Sequence, residues 1–173
     1  PDYQRHFVWR EKDMKRLLQS LSEGQFVQPV TIALYNDGTT KQNLILDGQQ
    51  RMTSLYGVIR GEPPKFFDGN SNSFTGLYFN VEDETFEFYM AAKMKNDPAW
   101  ISVTELMKAG ASVFLQNKML EDPTNVAFWL GHMASLNRLD GIKSLDIHIQ
   151  TVSGSDKTID VVVEIFNNVN SGG

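Results

Sequence analysis

Apolar positions recur along the first third of the chain in two rhythms. Met14, Leu17, Leu18 and Leu21 fall at i, i+3, i+4 and i+7, which predicts a helix over 13–21 with Asp13 as N-cap and Gly24 as stop. The β-branched run PVTIALY (29–35) predicts a strand, NDGTTKQN (36–43) a turn, and LIL (44–46) a second strand that pairs with the first as a hairpin. After Arg51 the helical rhythm returns: Met52, Leu55, Tyr56 and Ile59 share one face, and Gly61 with Pro63 and Pro64 ends the element. DGNSNSFTG (68–76) reads as a loop, and GLYFNVEDETFEFYM (76–90) as a second hairpin turning near Glu82, Asp83 and Glu84. Residues 102–138 read as two or three helices broken near Gly110 and Pro123. SLDIHIQTV (144–152) is expected to be a strand with Leu145, Ile147 and Ile149 on one face and Asp146, His148 and Gln150 on the other. Ile159, Val162, Val163 and Phe166 predict a last helix near 157–168. Strands before, between and after helices indicate an α/β or α+β domain: a small mixed sheet with flanking helices.

The junction DGQQR (47–51) is where a strand gives way to a helix. The first backbone N–H groups of a helix lack intrahelical partners, and the macrodipole makes that end electropositive, so it suits an anion such as phosphate. Gly48 allows close approach, Arg51 offers a bidentate fork, and Gln49 and Gln50 donate or accept without adding charge. Asp47 is the odd member, because an acid repels phosphate. It fits as a helix cap, as a holder of Arg51, or as a ligand for a divalent metal such as Mg²⁺. The hydroxyls of Thr53 and Ser54 follow directly and could touch phosphate or Mg²⁺. From these residues alone, a capped surface turn accounts for the junction about as well as a phosphate site does.

Length and composition sharpen the picture only in places. A chain of 173 residues suits one domain, and no apolar run approaches the ~20 residues of a membrane span. Cys is absent, which removes disulfides and Cys-based metal sites and fits a cytoplasmic home. The net charge of −5 argues against the whole surface being a nucleic-acid platform. Residues 1–65 hold nine Lys/Arg against seven Asp/Glu, whereas 66–173 hold seven against fourteen, so an anion site belongs in the first third. No two histidines have metal-ligand spacing; His148 reads as the wet face of its strand, His132 as structural, and His6 lies near the proposed site in sequence. Trp129 reads as core, whereas Trp9 belongs near the ligand, and the acidic run 82–84 reads as a solvated turn.

Three segments together resemble a known family. ILDGQQRMTSLYGVI (45–59), YQRHFVW (3–9) and EIFNNVNSGG (164–173) resemble, in order, motifs of the N-terminal domain of GmrSD-type type IV restriction systems, long catalogued as domain of unknown function 262. The resemblance implies one domain over 1–173, part of a longer protein, with a variable helical region at about 66–140. It implies a fold related to the ParB/sulfiredoxin superfamily and nucleoside-triphosphate binding with Mg²⁺, with hydrolysis, within antiphage defence. The nucleotide state would govern a downstream or partner nuclease that acts on DNA. By matching position, Asp47, Gly48, Gln49, Gln50 and Arg51 would form the phosphate and catalytic site, joined by Gln4, Arg5 and Asn170. Two rivals remain at this stage: a ParB-like domain that nicks DNA itself through a metal, drawing on Arg5, Arg10, Lys15 and Arg16, and a sensor that binds nucleotide or DNA without turnover.

Overall fold

The computed structural model describes residues 7–36, 41–65, 67, 69, 72–153, 161 and 164. It is an α+β arrangement of two three-stranded sheets and flanking helices. Among the described residues no helix is long and apolar enough to cross a membrane.

Helix α1 (Glu11–Ser22) begins two residues earlier than the sequence suggests, with Arg10 and not Asp13 as N-cap, and Asp13 sits inside its first turn. There its Oδ2 accepts the Arg10 backbone N–H at 3.0 Å, and an acid at that end also suits the helix dipole. Met14, Leu17 and Leu18 are buried as their spacing requires. Strands β1 (Val30–Asn36) and β2 (Lys41–Asp47) pair antiparallel, as expected. Strand β6 (Ile149–Val152) lies parallel to β1, giving a mixed sheet in the order β2-β1-β6.

Helix α2 (Gln49–Arg60) follows β2 but turns a different face inward than its apolar spacing suggests. Ser54, Leu55, Gly57 and Val58 are buried, whereas Tyr56 is exposed. The reason is Phe74: a Cβ on Gly57 would clash with the Cγ and Cδ1 edge of its ring, so small residues on this face let the ring approach. Phe74 belongs to a short helix, α3 (Asn72–Thr75), within the segment expected to be all loop, and it is completely buried.

The second hairpin forms β3 (Leu77–Asn80) and β4 (Thr85–Phe88). A strand too short to show in the pattern, β5 (Trp100–Ser102), pairs with β3 and makes a second sheet ordered β4-β3-β5. A single turn, α4 (Ala91–Met94), precedes it. Helices α5 (Val103–Ala109), α6 (Ala111–Glu121), α7 (Val126–Gly131) and α8 (Met133–Gly141) complete this layer, broken at Gly110 and near Pro123 as predicted. In the turn 81–84, Glu82 and Asp83 are exposed as expected, whereas Glu84 is half-buried. Glu84 reaches across to α8, where Ser135 Oγ donates to it at 2.7 Å and Arg138 at 2.6 Å.

The strand predicted over 144–152 is shortened to β6. Its ladder starts where the Val30 N–H donates to the His148 carbonyl, and Leu145, Ile147 and Ile149 remain 43%, 42% and 61% exposed rather than inward. The apolar cluster of this sheet consists of Ala33, Leu44 and Leu46, with Val152 against it, and is too small to cover them. The helix predicted near 157–168 lies outside the described residues, except for Val161 and Glu164.

Candidate functional site

The strand-to-helix junction is built around a bulge and a glycine. Thr31 pairs with Asp47 but Ile32 pairs with Ile45, so β2 carries one extra residue at Leu46. Such a bulge re-aims the next side chain, here Asp47 at the strand's end. Gly48 then adopts φ +92°, a left-handed conformation that disfavours any side chain. Space is short as well: a Cβ there would lie 3.0 Å from Val30 Cγ2 and 3.1 Å from Arg51 Nη2. No side chain caps α2, whose first intrahelical bond runs from the Met52 N–H to the Gly48 carbonyl.

Of the three roles open to Asp47, the geometry realises one directly. Arg51 Nη2 donates to Asp47 Oδ2 at 3.0 Å and to the Pro29 carbonyl at 3.0 Å, and Nη1 reaches Gln28 Oε1 at 3.4 Å. Asp47 is a holder of Arg51. The guanidinium thus ties the start of β1, the end of β2 and the first turn of α2 together. It stands beside the left-handed turn with only 15% of its side chain exposed. Its Nε is buried without a hydrogen-bond partner among the described residues, and the bonds named above use three of the five guanidinium donors.

Gln50 acts as a clamp. Its Oε1 accepts the backbone N–H of Val8 at 2.9 Å and of Trp9 at 3.3 Å, docking the segment before α1 onto α2. Trp9 therefore does lie at this junction, through its backbone. Gln49, half-buried at the first position of α2, takes part in none of these contacts. Thr53 is half-buried, whereas Ser54 is fully buried with its Oγ unpartnered among the described residues, so it faces the core and not the junction. Gln4, Arg5, His6 and Asn170 lie outside the described residues.

Sequence reasoning missed Gln28, the Pro29 carbonyl and the backbone of Val8. Two of these three contribute main-chain atoms, which leave no mark on residue type. It also missed a cavity of about 190 Å³ beside Arg51, walled by Val30, Met52, Leu55, Leu145 and Ile147, with His148 at its side. That is below the ~300–1,000 Å³ of a site enclosing a drug-sized ligand, and suits a single heterocycle.

The donor set for a metal is sparse. Asp47 Oδ1 takes no part in the contacts above, and no group of three or more His, Asp or Glu side chains among the described residues could hold an ion. One carboxylate oxygen fits Mg²⁺ that is otherwise held by phosphate and water, and does not fit a cage of protein ligands.

A family model described as the GmrSD restriction endonuclease, N-terminal domain, matches residues 1–173. The chain belongs to that family. An uncharacterized protein of Methanocaldococcus jannaschii is 35% identical to it over 34% of this chain and 14% of the relative. The chain thus spans only a small part of that relative's length. The matched range includes the three segments singled out above.

Proposed function

We propose that this GmrSD N-terminal domain binds a nucleoside triphosphate with Mg²⁺ at the β2–α2 junction and hydrolyses it, and that the nucleotide state governs DNA cleavage by a downstream or partner nuclease. The observation that carries this reading is the uncapped, glycine-led start of a twelve-residue helix with a fixed guanidinium beside it. The helix terminus supplies positive potential there, and Arg51 adds a guanidinium whose charge is partly offset by its ion pair with Asp47.

Each residue then has a task. The Gly48 turn keeps side-chain bulk away from the phosphates. Arg51, held by Asp47 and Pro29, supplies charge without having to be ordered on binding. Asp47 Oδ1 remains to support Mg²⁺, which when bound would neutralise charge on the phosphate oxygens. Gln49, without a side-chain hydrogen bond among the described residues, orients the attacking water. Gln50 holds the 7–10 segment over the site, Gln4, Arg5 and Asn170 are assigned to the phosphates by their family positions, and Thr53 by its hydroxyl in the first turns of α2. The apolar cavity beside Arg51 takes the base. No observation favours direct DNA nicking: Lys15, on which that role would draw, is ion-paired with Glu87 at 2.8 Å.

The test is calorimetric titration of the chain with ATP, GTP, CTP and UTP, each with Mg²⁺. At least one should bind saturably, and Gly48→Ala, checked for fold by circular dichroism, should weaken it tenfold or more. Gln49→Ala should keep binding and lose turnover. Failure of all four nucleotides to bind would sink the proposal, and full hydrolysis by Asp47→Ala would remove that residue's catalytic role.

A further inference from the structure

A second cavity lies away from the junction, where the second sheet meets α5, α6 and α7. It encloses about 590 Å³, within the range of sites that hold a ligand of some size. Its walls are unusually aromatic. Trp100, Phe114 and Trp129 are buried beneath it, and Tyr78 and Tyr89 stand at one side with ring centroids 5.1 Å apart and planes tilted by 40°.

The cleft is also acidic. Asp97, Glu105, Glu121 and Asp122 line it against Lys95 and Lys118, four carboxylates to two ammonium groups. Most of that charge is committed. Glu121 pairs with Lys118 at 2.9 Å, Asp122 accepts the Thr124 N–H and the Asn125 amide, and Asp97 accepts the Ala99 N–H. Glu105 forms no ion pair among the described residues and is exposed. Its charge reaches the neighbouring ring: together with burial, the larger cause, it pushes the Tyr78 hydroxyl above its ordinary value.

The chain's own lysines show what these surfaces attract. Lys93 Nζ sits 4.5 Å from the Trp100 ring centre, and Lys118 Nζ lies 5.6 Å from that of Phe114 while bonded to Glu121. A cation between a ring and a carboxylate is thus already formed once within this cleft. The Tyr78–Tyr89–Glu105 corner offers the same combination without an occupant from the described residues.

We propose that this cleft binds an arginine side chain presented by a basic segment of a partner protein, its guanidinium against the Tyr78–Tyr89 pair and bonded to the Glu105 carboxylate. A planar guanidinium both stacks on rings and forks onto a carboxylate, which an ammonium group cannot do. The excess of acid repels any ligand that carries phosphates, which separates this site from the junction. The volume beyond one side chain leaves room for the residues that flank it.

The test uses the ¹⁵N-labelled chain titrated with acetyl-Gly-Arg-Gly-amide and with the same peptide carrying neutral citrulline. The indole N–H signals of Trp100 and Trp129 should move saturably with the arginine peptide while that of Trp9 stays in place. Citrulline should bind at least tenfold more weakly. Glu105→Gln should weaken the arginine peptide about tenfold, and Tyr89→Ala, at a largely exposed position, should do so with the fold intact by circular dichroism. The absence of a saturable shift, equal binding of citrulline, or unchanged binding by both variants overturns the site. Displacement of the peptide by equimolar spermidine overturns the protein partner in favour of a free polyamine. Nucleotide should leave the two signals unmoved, so failure here is separate from failure at the junction.

Discussion

The two sheets of this domain are stabilised by different means. Among the described residues, the sheet β4-β3-β5 and its helices share a cluster of 22 buried apolar residues, among them Leu18, Val58, Phe74, Leu77, Leu106 and Leu136, all nearly inaccessible. The sheet β2-β1-β6, which ends in the candidate site, has a described cluster of three, with Val30 buried outside it. What holds the site end in register is polar: the Arg51 fork onto Asp47, Gln28 and Pro29, and the Gln50 clamp on Val8 and Trp9. Helix α2 belongs to both, with its first turn in the polar end and its Ser54–Val58 face in the apolar one. A site needs charged and mobile groups that a dense core would exclude, so the domain places it at the lightly packed end of a helix whose other end is anchored.

The sharpest way to break that comparison is to empty the anchor. Phe74 touches Phe7 and Phe67 with ring centroids 5.6 and 5.0 Å away, and its carbonyl accepts the buried Thr104 hydroxyl. Phe74→Ala should cost about 3–5 kcal/mol and lower the urea midpoint of the whole domain, because the cavity lies in the shared core. A loss below about 1 kcal/mol would mean that the two ends do not unfold as one.

Arg51→Ala is the matching cut at the polar end. It leaves the Asp47 carboxylate half-buried and unpaired, and should cost about 1–3 kcal/mol. Its mark should be local: amide exchange should accelerate in β1, β2 and the first turn of α2 while α5 and α8 stay protected. Uniform acceleration across both sheets would show that the fork supports the whole fold, and would also bar its use as a clean probe of nucleotide binding.

Legibility in the sequence divides along the same line. The β1–β2 hairpin, α1, the β3–β4 hairpin and the breaks at Gly110 and Pro123 are local patterns of period and punctuation, and they stand close to where those patterns put them, with α1 starting at Glu11 and β2 at Lys41, each earlier than expected. The DGQQR junction was visible as a strand-to-helix turn for the same reason. The Asp47–Arg51 pair was among the roles read there, but the other partners of Arg51 and Gln50 were not, because they are 22 to 42 residues away and are mostly main-chain atoms. The buried face of α2 was misread because apolar spacing favours large side chains, whereas the close approach of Phe74 selects Ser54 and Gly57. β5 escaped because three residues hold too little period to read.

Ser54 sharpens the comparison from inside α2. Its side chain is fully buried and its Oγ has no partner among the described residues, so an unsatisfied hydroxyl sits in the apolar end. Ser54→Ala removes that group, favours helix, and should stabilise the domain by about 1 kcal/mol, read as a higher urea midpoint at unchanged slope. A loss of stability instead would mean that the hydroxyl is satisfied through an interaction outside the described residues.

The smallest effect concerns a polar tie at the apolar end. Lys15 on α1 bonds Glu87 on β4 at 2.8 Å. That bond, assisted by the Phe88 N–H and opposed by slight burial, holds the Glu87 carboxyl below its ordinary value of 4.5. A carboxyl whose folded value is lowered stabilises the fold above its unfolded value, and that contribution fades as pH falls through the folded one. Both side chains are 30% exposed, so solvent screening keeps the pair below about 1 kcal/mol. Lys15→Ala should therefore lower stability slightly at pH 7, and parent and variant should converge in acid once Glu87 is protonated. A gap that persists undiminished below pH 3 would assign the effect of Lys15 to the packing of its aliphatic stem on β4, and the apolar end would then owe nothing measurable to charge.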